Sequence, residues 1–311
     1  MRCLACSVLA ALFVALFVAC GGSGHRQRSA GSPTSATPPT GPASSPTPTG
    51  RTTSTAPPAA GPAIAGFVAF GDFGGGPGQA GVAAQMRHWA SGHRVDALVT
   101  TGDNVYPTGE PQLYASELDA PYQELRATRP LWATLGNHDV GAGHGAAELA
   151  HLGLPPVPYE KDLPGVQLLF LDANHPDAAQ ASWLDSALSR PGPPFRVVVF
   201  HQPAWSCGLH GSTSAVDGFW VPVIEAHKVA LVLNGHDHDY ERFTSPGGVT
   251  YVVTGGGGQT LYPLVPCSGT PPEDAKAQTY HFTGVEVAAH TLTMTAVATD
   301  GAVIDQAVLT R

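Results

Sequence analysis

The sequence predicts an α/β domain that extends from about residue 64 to the C terminus, and three observations support this fold class. Short apolar runs typical of strands alternate with segments of helical periodicity up to about residue 233. Polar motifs directly follow several of these runs, as expected where parallel strands end at one edge of a sheet. After residue 248, apolar runs follow one another across turns, which predicts antiparallel strands at the end of the chain.

The individual elements follow from the same patterns in chain order. Strands are expected at 65–70, 96–101, 131–135, 166–171, 195–200, 229–233, 249–254, 282–288, 292–297 and 302–309. Helices are expected at about 79–91, 112–127, 178–189 and 215–227. Residues 141–164 are rich in Gly and Pro and predict a loop. The last three strands are expected to form an antiparallel meander.

Five short polar motifs occur in fixed order along the domain. They are GDFG at 71–74, GDNVY at 102–106, GNHD at 136–139, VVFH at 198–201 and GHDH at 235–238. Four of them directly follow an apolar run, and His201 ends the run before it. Together they supply two Asp, one Asn, one Tyr and three His. This set contains more oxygen and nitrogen donors than one ion would bind. It suits two hard or borderline cations that share a carboxylate.

The order of these motifs, from Asp72 to His238, resembles the metallophosphoesterase (calcineurin-like) superfamily. Within that superfamily it is similar to the purple acid phosphatases of the tartrate-resistant type. Tyr106, three residues after Asp103, narrows the resemblance because that branch uses a tyrosinate as an iron ligand. The resemblance implies a four-layer α-β-β-α sandwich of two mixed sheets, with a dimetal site at the C-terminal ends of the strands.

The resemblance also implies which residues bind metal. The expected ligands are Asp72, Tyr106 and His238 for one ion, Asn137, His201 and His236 for the other, and Asp103 as the bridge between them. The donor types agree, because a phenolate and carboxylates suit Fe(III), whereas imidazoles and an amide oxygen suit divalent Fe, Zn or Mn. Taken alone, such residues are often helix caps, turn residues or packing residues. Their mutual spacing favours the metal site.

Two further histidines are expected to act on the substrate. His138 follows the ligand Asn137 and can protonate a leaving alkoxide. His210, nine residues after His201, matches a second phosphate-contacting histidine of the resembled branch; its alternative is an exposed loop residue. Asp139 and Tyr240 are expected to orient histidines of the site. The interpretation is hydrolysis of a phosphate monoester by a metal-bound hydroxide.

Two other functions are open to the same sequence. A phosphodiesterase of the same fold would act on diesters of nucleotides or lipid head groups, although no motif identifies a pocket for a second ester arm. A surface lipoprotein that binds metal or phosphate without catalysis is an alternative of another class. That alternative predicts that some metal ligands or His138 are replaced by other residues, and the sequence shows neither change.

The N-terminal 63 residues predict export and attachment to a membrane. Arg2 is the only charge in residues 1–20, which contain an apolar run and end at Cys20. This pattern predicts a bacterial lipoprotein signal, with a lipid on Cys20; an uncleaved membrane anchor is the alternative. Residues 21–63 consist mainly of Gly, Ser, Thr, Pro and Ala and predict a disordered tether.

The charge of the domain limits its possible partners, and its cysteine content predicts a disulfide. All 24 acidic residues follow residue 61, whereas four of the 15 basic residues precede it, which leaves a formal charge of −13 on the domain. This charge argues against nucleic acid as a partner and leaves a small phosphate ester as the expected substrate. Cys207 and Cys267 are expected to form a disulfide because they are an even pair in an exported chain. Two separate buried thiols are the alternative.

Overall fold

Two mixed β-sheets stack face to face in the computed structural model, which describes residues 61–311. The predicted signal, residues 1–20, lies outside the described residues, as does nearly all of the predicted tether. The strands of the described part are β1 (Ala65–Phe70), β2 (Ala97–Thr100), β3 (Leu131–Ala133), β4 (Tyr159–Leu163), β5 (Val166–Phe170), β6 (Phe195–Val199), β7 (Leu231–Asn234), β8 (Tyr240–Thr244), β9 (Thr250–Thr254), β10 (Glu273–Ala277), β11 (His281–Val287), β12 (Thr291–Ala298) and β13 (Val303–Thr310).

The first sheet contains six strands in the spatial order β13-β12-β11-β1-β2-β3. Strands β1, β2 and β3 run parallel to one another. Strand β11 pairs antiparallel with β1, and Ala65 lies opposite Val287. The predicted meander of the last three strands is confirmed, since β11, β12 and β13 pair antiparallel in sequence.

The second sheet contains seven strands in the order β10-β8-β9-β7-β6-β5-β4. Its central strands β5, β6, β7 and β9 are parallel, whereas β4, β8 and β10 pair antiparallel at the two edges. The central strands are buried except at Arg196, and their sequences are mainly apolar. This composition is typical of parallel strands that are covered on both faces.

Helices cover the outer face of each sheet. The α-helices are α1 (Gln79–Gly92), α2 (Gln123–Arg126), α3 (Asn137–Val140), α4 (Gly145–His151), α5 (Ala178–Ser189), α6 (Ser214–Phe219) and α7 (Val221–Ala226). Helix α1 buries Gln79, Val82, Ala83 and Met86, a spacing that places one face of the helix on the first sheet. Asp177 caps the N terminus of α5, because its carboxylate accepts a hydrogen bond from the Gln180 backbone N–H at 2.8 Å.

Three apolar clusters connect these layers. The cluster between the two sheets contains Phe67 and Val99 of the first sheet, and Leu168, Val197 and Leu231 of the second. A second cluster packs α5, α6 and α7 on the outer face of the second sheet, and a third packs α1 and the segment after it on the first sheet. The predicted four-layer α-β-β-α arrangement is therefore confirmed.

Several elements differ from the sequence-based expectation, among them the helix expected at 215–227, which is two short helices, α6 and α7. The helix expected at 112–127 is a series of short helices: 3-10 turns at Pro111–Leu113 and Ala120–Tyr122, a π-helix at Tyr114–Asp119, and α2. Pro121 lacks a backbone N–H and interrupts a regular helix. The loop expected at 141–164 contains α4 and β4. Strands β8 and β10 were not predicted because charged residues of their sequences, YERFT and EDAKA, hide the strand pattern.

A covalent bond joins two loops on the second sheet. Cys207 and Cys267 form a disulfide, as predicted, with their Cα atoms 5.0 Å apart. Among the residues that the structure describes, no helix is long and apolar enough to cross a membrane.

Candidate metal centre

The predicted ligands lie where strands of both sheets end. Asp72 and Asp103 follow β1 and β2, and Asn137 follows β3, all in the first sheet. His201 and His236 follow β6 and β7 of the second sheet. The two sheets meet here, since the Gly71 N–H donates to the Thr254 carbonyl oxygen at 3.1 Å. The C-terminal edges of the sheets therefore deliver side chains to one point between them.

The turns after the strands aim the two carboxylates inward. Asp72 and Asp103 have φ angles of 58° and 53°, in the left-handed region that non-glycine residues rarely adopt. Gly136 must lack a side chain, because a Cβ atom there would lie 2.0 Å from Asp103 Oδ1. Gly235 is constrained in the same way by Asp72 Oδ2, at 2.3 Å. These close approaches give a physical reason for the glycines of the motifs.

The ligands expected for the first ion surround the carboxylate oxygens. The Tyr106 hydroxyl lies 3.0 Å from Asp103 Oδ2 and 3.3 Å from His238 Nε2. His238 Nε2 is 3.6 Å from Asp72 Oδ1. Burial, followed by the charges of Asp72 and Asp103, raises the pKa of Tyr106 well above its ordinary value.

The ligands expected for the second ion gather around His201. Its Nε2 atom lies 3.3 Å from Asp103 Oδ2 and 3.2 Å from Asn137 Oδ1. The rings of His201 and His236 meet edge to face, with centroids 5.1 Å apart. Asp103 is thus in contact with residues of both predicted groups.

Backbone carbonyl groups orient two of the imidazoles. His201 Nδ1 donates to the Thr101 carbonyl oxygen at 2.9 Å, and His238 Nδ1 donates to the Thr260 carbonyl oxygen at 2.7 Å. Both bonds direct the Nε2 atom of the imidazole toward the carboxylates. The expectation that Tyr240 orients a site histidine was wrong, because its hydroxyl donates to Asp305 at 2.6 Å and its ring packs on His281.

Asp139 also has a different role from the one expected. Its buried carboxylate accepts hydrogen bonds from the backbone N–H groups of Gly136, Asn104 and Val105 at 2.8–3.0 Å. Within the described residues it makes no hydrogen bond to a histidine side chain. Asp139 instead ties the loop after β2 to the loop after β3, and so positions Asp103 relative to Asn137. The GNHD motif contains Asp139 and Gly136 but neither Asn104 nor Val105, since the two loops meet only in the folded chain.

The electrostatics of the donor set fit bound cations. Donor atoms of Asp72, Asp103 and His201 all lie within 4.8 Å of one another. Burial lowers the pKa of His201, but Asp103 and Asp72 outweigh burial and raise the pKa to about 10. Mainly through burial, His236 and His238 have pKa values lowered to about 3 and about 4, so both are neutral. The site therefore combines carboxylates that attract positive charge with neutral imidazoles, an amide oxygen and a phenol. This set of donors suits two metal ions.

His138 and His210 contact different members of the donor set. His138 Nδ1 donates to the Pro107 carbonyl oxygen at 2.6 Å, and its Nε2 atom is 3.9 Å from Asp103 Oδ2. Its side chain is 35% exposed, so solvent and substrate can reach it. The His210 ring stacks on His236 with a centroid distance of 4.4 Å. The structure therefore brings both histidines to the site.

Tyr262 is a site residue that sequence reasoning missed. Its ring stacks on His238 with a centroid distance of 3.9 Å and an interplanar angle of 11°. It lies in the loop between β9 and β10, which contains no recognisable motif. The pairing of Cys267 with Cys207 is the one sequence feature that places this loop near His210.

The fold and the paired donor set define a metal-dependent phosphoesterase, and comparison with known families agrees. The chain belongs to the calcineurin-like phosphoesterase family, whose model matches residues 66–240. It is thus a hydrolase of phosphoric ester bonds.

Several relatives of the chain are purple or tartrate-resistant acid phosphatases. Purple acid phosphatase 4 of Arabidopsis thaliana is 25% identical over 248 residues, which cover 68% of this chain and 72% of that protein. Human tartrate-resistant acid phosphatase type 5 is 27% identical over 235 residues, covering 61% of this chain and 72% of that enzyme. The chain is thus a homologue of the purple acid phosphatases, as the motifs predicted.

Solved structures confirm the fold. Purple acid phosphatase PPD1 from yellow lupin superposes with a TM-score of 0.69 at 18% identity, covering 81% of this chain and 54% of that chain. GAP50, the anchor in the inner membrane complex of Plasmodium, also gives a TM-score of 0.69 at 18% identity, covering 79% and 88%. Because one neighbour is named as an enzyme and the other as an anchor, these similarities establish architecture and leave activity to the site.

Proposed function

We propose that the protein is an exported phosphatase that hydrolyses phosphate monoesters at a dinuclear centre of Fe(III) and a divalent ion. The observation that carries this proposal is the position of Tyr106, whose hydroxyl lies within 3.3 Å of both Asp103 and His238. A phenol among carboxylate and imidazole donors favours Fe(III) as one of the ions. Homology to purple acid phosphatases supports the same choice.

The proposed ligand set follows the two groups around Asp103. Asp72, Tyr106 and His238 would hold Fe(III), Asn137, His201 and His236 would hold divalent Fe, Zn or Mn, and Asp103 would bridge the ions. When bound, such ions polarise phosphoryl oxygens and lower the pKa of water. The protein contributes a rigid frame, because the Thr101 and Thr260 carbonyls fix the two imidazoles described above.

His138 and His210 act on the substrate in this proposal. A water molecule loses one proton to solvent, and its oxygen forms a bond to phosphorus while the bond from phosphorus to the alcohol oxygen breaks on the opposite side. His138 donates the proton that the departing oxygen needs, from Nε2, because Nδ1 is engaged with the Pro107 carbonyl. His210, which stacks on His236, holds charge that develops on the phosphoryl oxygens.

A comparison of two substrates tests the proposal. Purified protein is assayed for metal content and for hydrolysis of p-nitrophenyl phosphate and bis(p-nitrophenyl) phosphate, with Asp103→Ala as the control for contaminating activity. We expect two metal ions per chain, iron among them, and faster turnover of the monoester. Asp103→Ala should lose both metals and essentially all activity. Faster turnover of the diester would favour a phosphodiesterase, and metal binding without turnover would favour a non-catalytic binding protein.

A further inference from the structure

The two histidines of the GHDH motif each carry a stacked aromatic ring from a separate loop. His210 covers His236, with centroids 4.4 Å apart and an angle of 28°. Tyr262 covers His238, with centroids 3.9 Å apart and an angle of 11°. The rings of His210 and Tyr262 meet edge to face at 5.2 Å. Tyr262 is therefore placed beside one proposed metal as His210 is placed beside the other.

Several bonds hold these two rings in position. The disulfide between Cys207 and Cys267 links the loop of His210 to the loop of Tyr262. The Val265 N–H also donates to the Cys207 carbonyl oxygen at 2.8 Å. Tyr262 itself donates its backbone N–H to the His238 carbonyl oxygen at 3.1 Å. Tyr262 is thus held both by His238 and by the neighbouring loop of Cys207. A side chain that contacts a ligand needs such fixed support.

The hydroxyl group of Tyr262 takes no part in the stacking on His238. Within residues 61–311 it makes no hydrogen bond, and the side chain is only partly buried. The carboxylates of Asp72 and Asp103 are close enough for their charges to act on the phenol. Stacking on His238 requires only a ring, which phenylalanine would supply equally well. The hydroxyl adds a hydrogen-bond donor at the rim of the proposed dimetal site.

We propose that Tyr262 contacts the phosphoryl group of the bound substrate through its hydroxyl and contributes to substrate affinity as a counterpart of His210. This inference rests on the proposed phosphatase function. The competing explanation is that Tyr262 only orients His238 by packing. Packing alone predicts that Tyr262→Phe leaves ligand binding unchanged.

Binding of inorganic phosphate to the metal-loaded full chain provides the test. Calorimetry measures the phosphate Kd of wild type, Tyr262→Phe and the control Tyr280→Phe, and parallel assays measure KM, kcat and metal content. Tyr280 is a suitable control because it is also partly buried but packs beside Gly78, at the start of α1. We expect Tyr262→Phe to weaken phosphate binding and raise KM by roughly 3–10-fold, the range for one neutral hydrogen bond, with kcat within about twofold. Tyr280→Phe should match wild type.

Two results would overturn the inference. An unchanged phosphate Kd and KM in Tyr262→Phe would show that the hydroxyl does not reach the ligand. Loss of metal from Tyr262→Phe would assign the residue to support of His238 instead. Because phosphate binding is measured without turnover, the test remains informative if wild type binds phosphate but hydrolyses no monoester. That result would contradict the proposed function, and the comparison of Kd values would still decide the role of Tyr262.

Discussion

At the scale of single residues, Tyr106 is the proposed ligand that distinguishes a site for Fe(III) from a dimetal site without iron. A phenolate bound to Fe(III) absorbs visible light by charge transfer, so the metal-loaded protein should be coloured. Tyr106→Phe should remove this absorbance and retain part of the hydrolytic activity, because Asp72, Asp103 and the imidazoles remain. Visible spectra and iron analysis of both proteins check this expectation, with Tyr280→Phe as the control. A colourless wild type that contains iron would contradict the assignment of Tyr106 as a ligand.

His138 allows a second prediction at the same scale. Its side chain is proposed to donate a proton, whereas its contact with the Asp103 carboxylate, at 2.8 Å, comes from its backbone N–H. His138→Ala should therefore keep the metals and lower kcat by about 10²-fold or more, as loss of a general acid does. The loss should be smaller for esters with acidic leaving groups, since these need less protonation.

The dependence on the leaving group decides the role of His138. Turnover of an aryl and an alkyl phosphate is compared in wild type, His138→Ala and the control His88→Ala, which alters an exposed histidine of α1. Equal losses for both substrates would argue against proton donation. The control should leave both rates unchanged.

At the scale of elements, the first residue of β11 links stability to pH. His281 is completely buried between the Thr279 carbonyl oxygen at 2.9 Å and Thr254 Oγ1 at 3.1 Å. Burial lowers its pKa from 6.5 to about 4. Between these values the folded state binds fewer protons than the unfolded chain, so stability is lost as the pH falls from about 6.5 through 4. The full contribution of such a shift is roughly 3 kcal/mol.

His281→Gln should reduce this acid sensitivity. Glutamine can keep one donor and one acceptor but does not titrate, so its free energy of unfolding should fall less than that of wild type between pH 6.5 and 4. Denaturant unfolding at several pH values measures the difference. His290→Gln, which alters an exposed histidine in the β11–β12 turn, should behave as wild type. If the curves of His281→Gln and wild type ran parallel, His281 would not be the group responsible.

At the scale of the whole molecule, the predicted attachment to the membrane should depend on Cys20. A lipid there, followed by a tether of about 40 residues, would keep the domain within some tens of ångströms of the membrane. The domain carries a formal charge of −13 and gains no attraction from anionic lipids. Cys20→Ser should therefore release the protein into the soluble fraction of cells that express it. Identical fractionation of wild type and Cys20→Ser would contradict the lipoprotein prediction.

The sequence by itself determined the α/β class, the order of most strands and the set of candidate ligands. It did so because strands leave a local apolar pattern, and because the motifs place chemically distinctive residues at fixed distances from the strand ends. Prediction from local sequence patterns failed where one segment contains conflicting signals for its secondary structure. Pro121 divides one expected helix, and the charged sequences of β8 and β10 conceal strands at one edge of a sheet.

Only the tertiary structure decided how the site is held together. Asp139 joins two loops whose strands are neighbours in the sheet, and the Thr101 carbonyl orients His201 across 100 residues of sequence. Tyr262 reaches His238 through a loop without a motif, and the disulfide to Cys207 holds that loop in place. Such contacts depend on which loops meet when the two sheets stack, because packing joins residues that have no regular spacing along the chain.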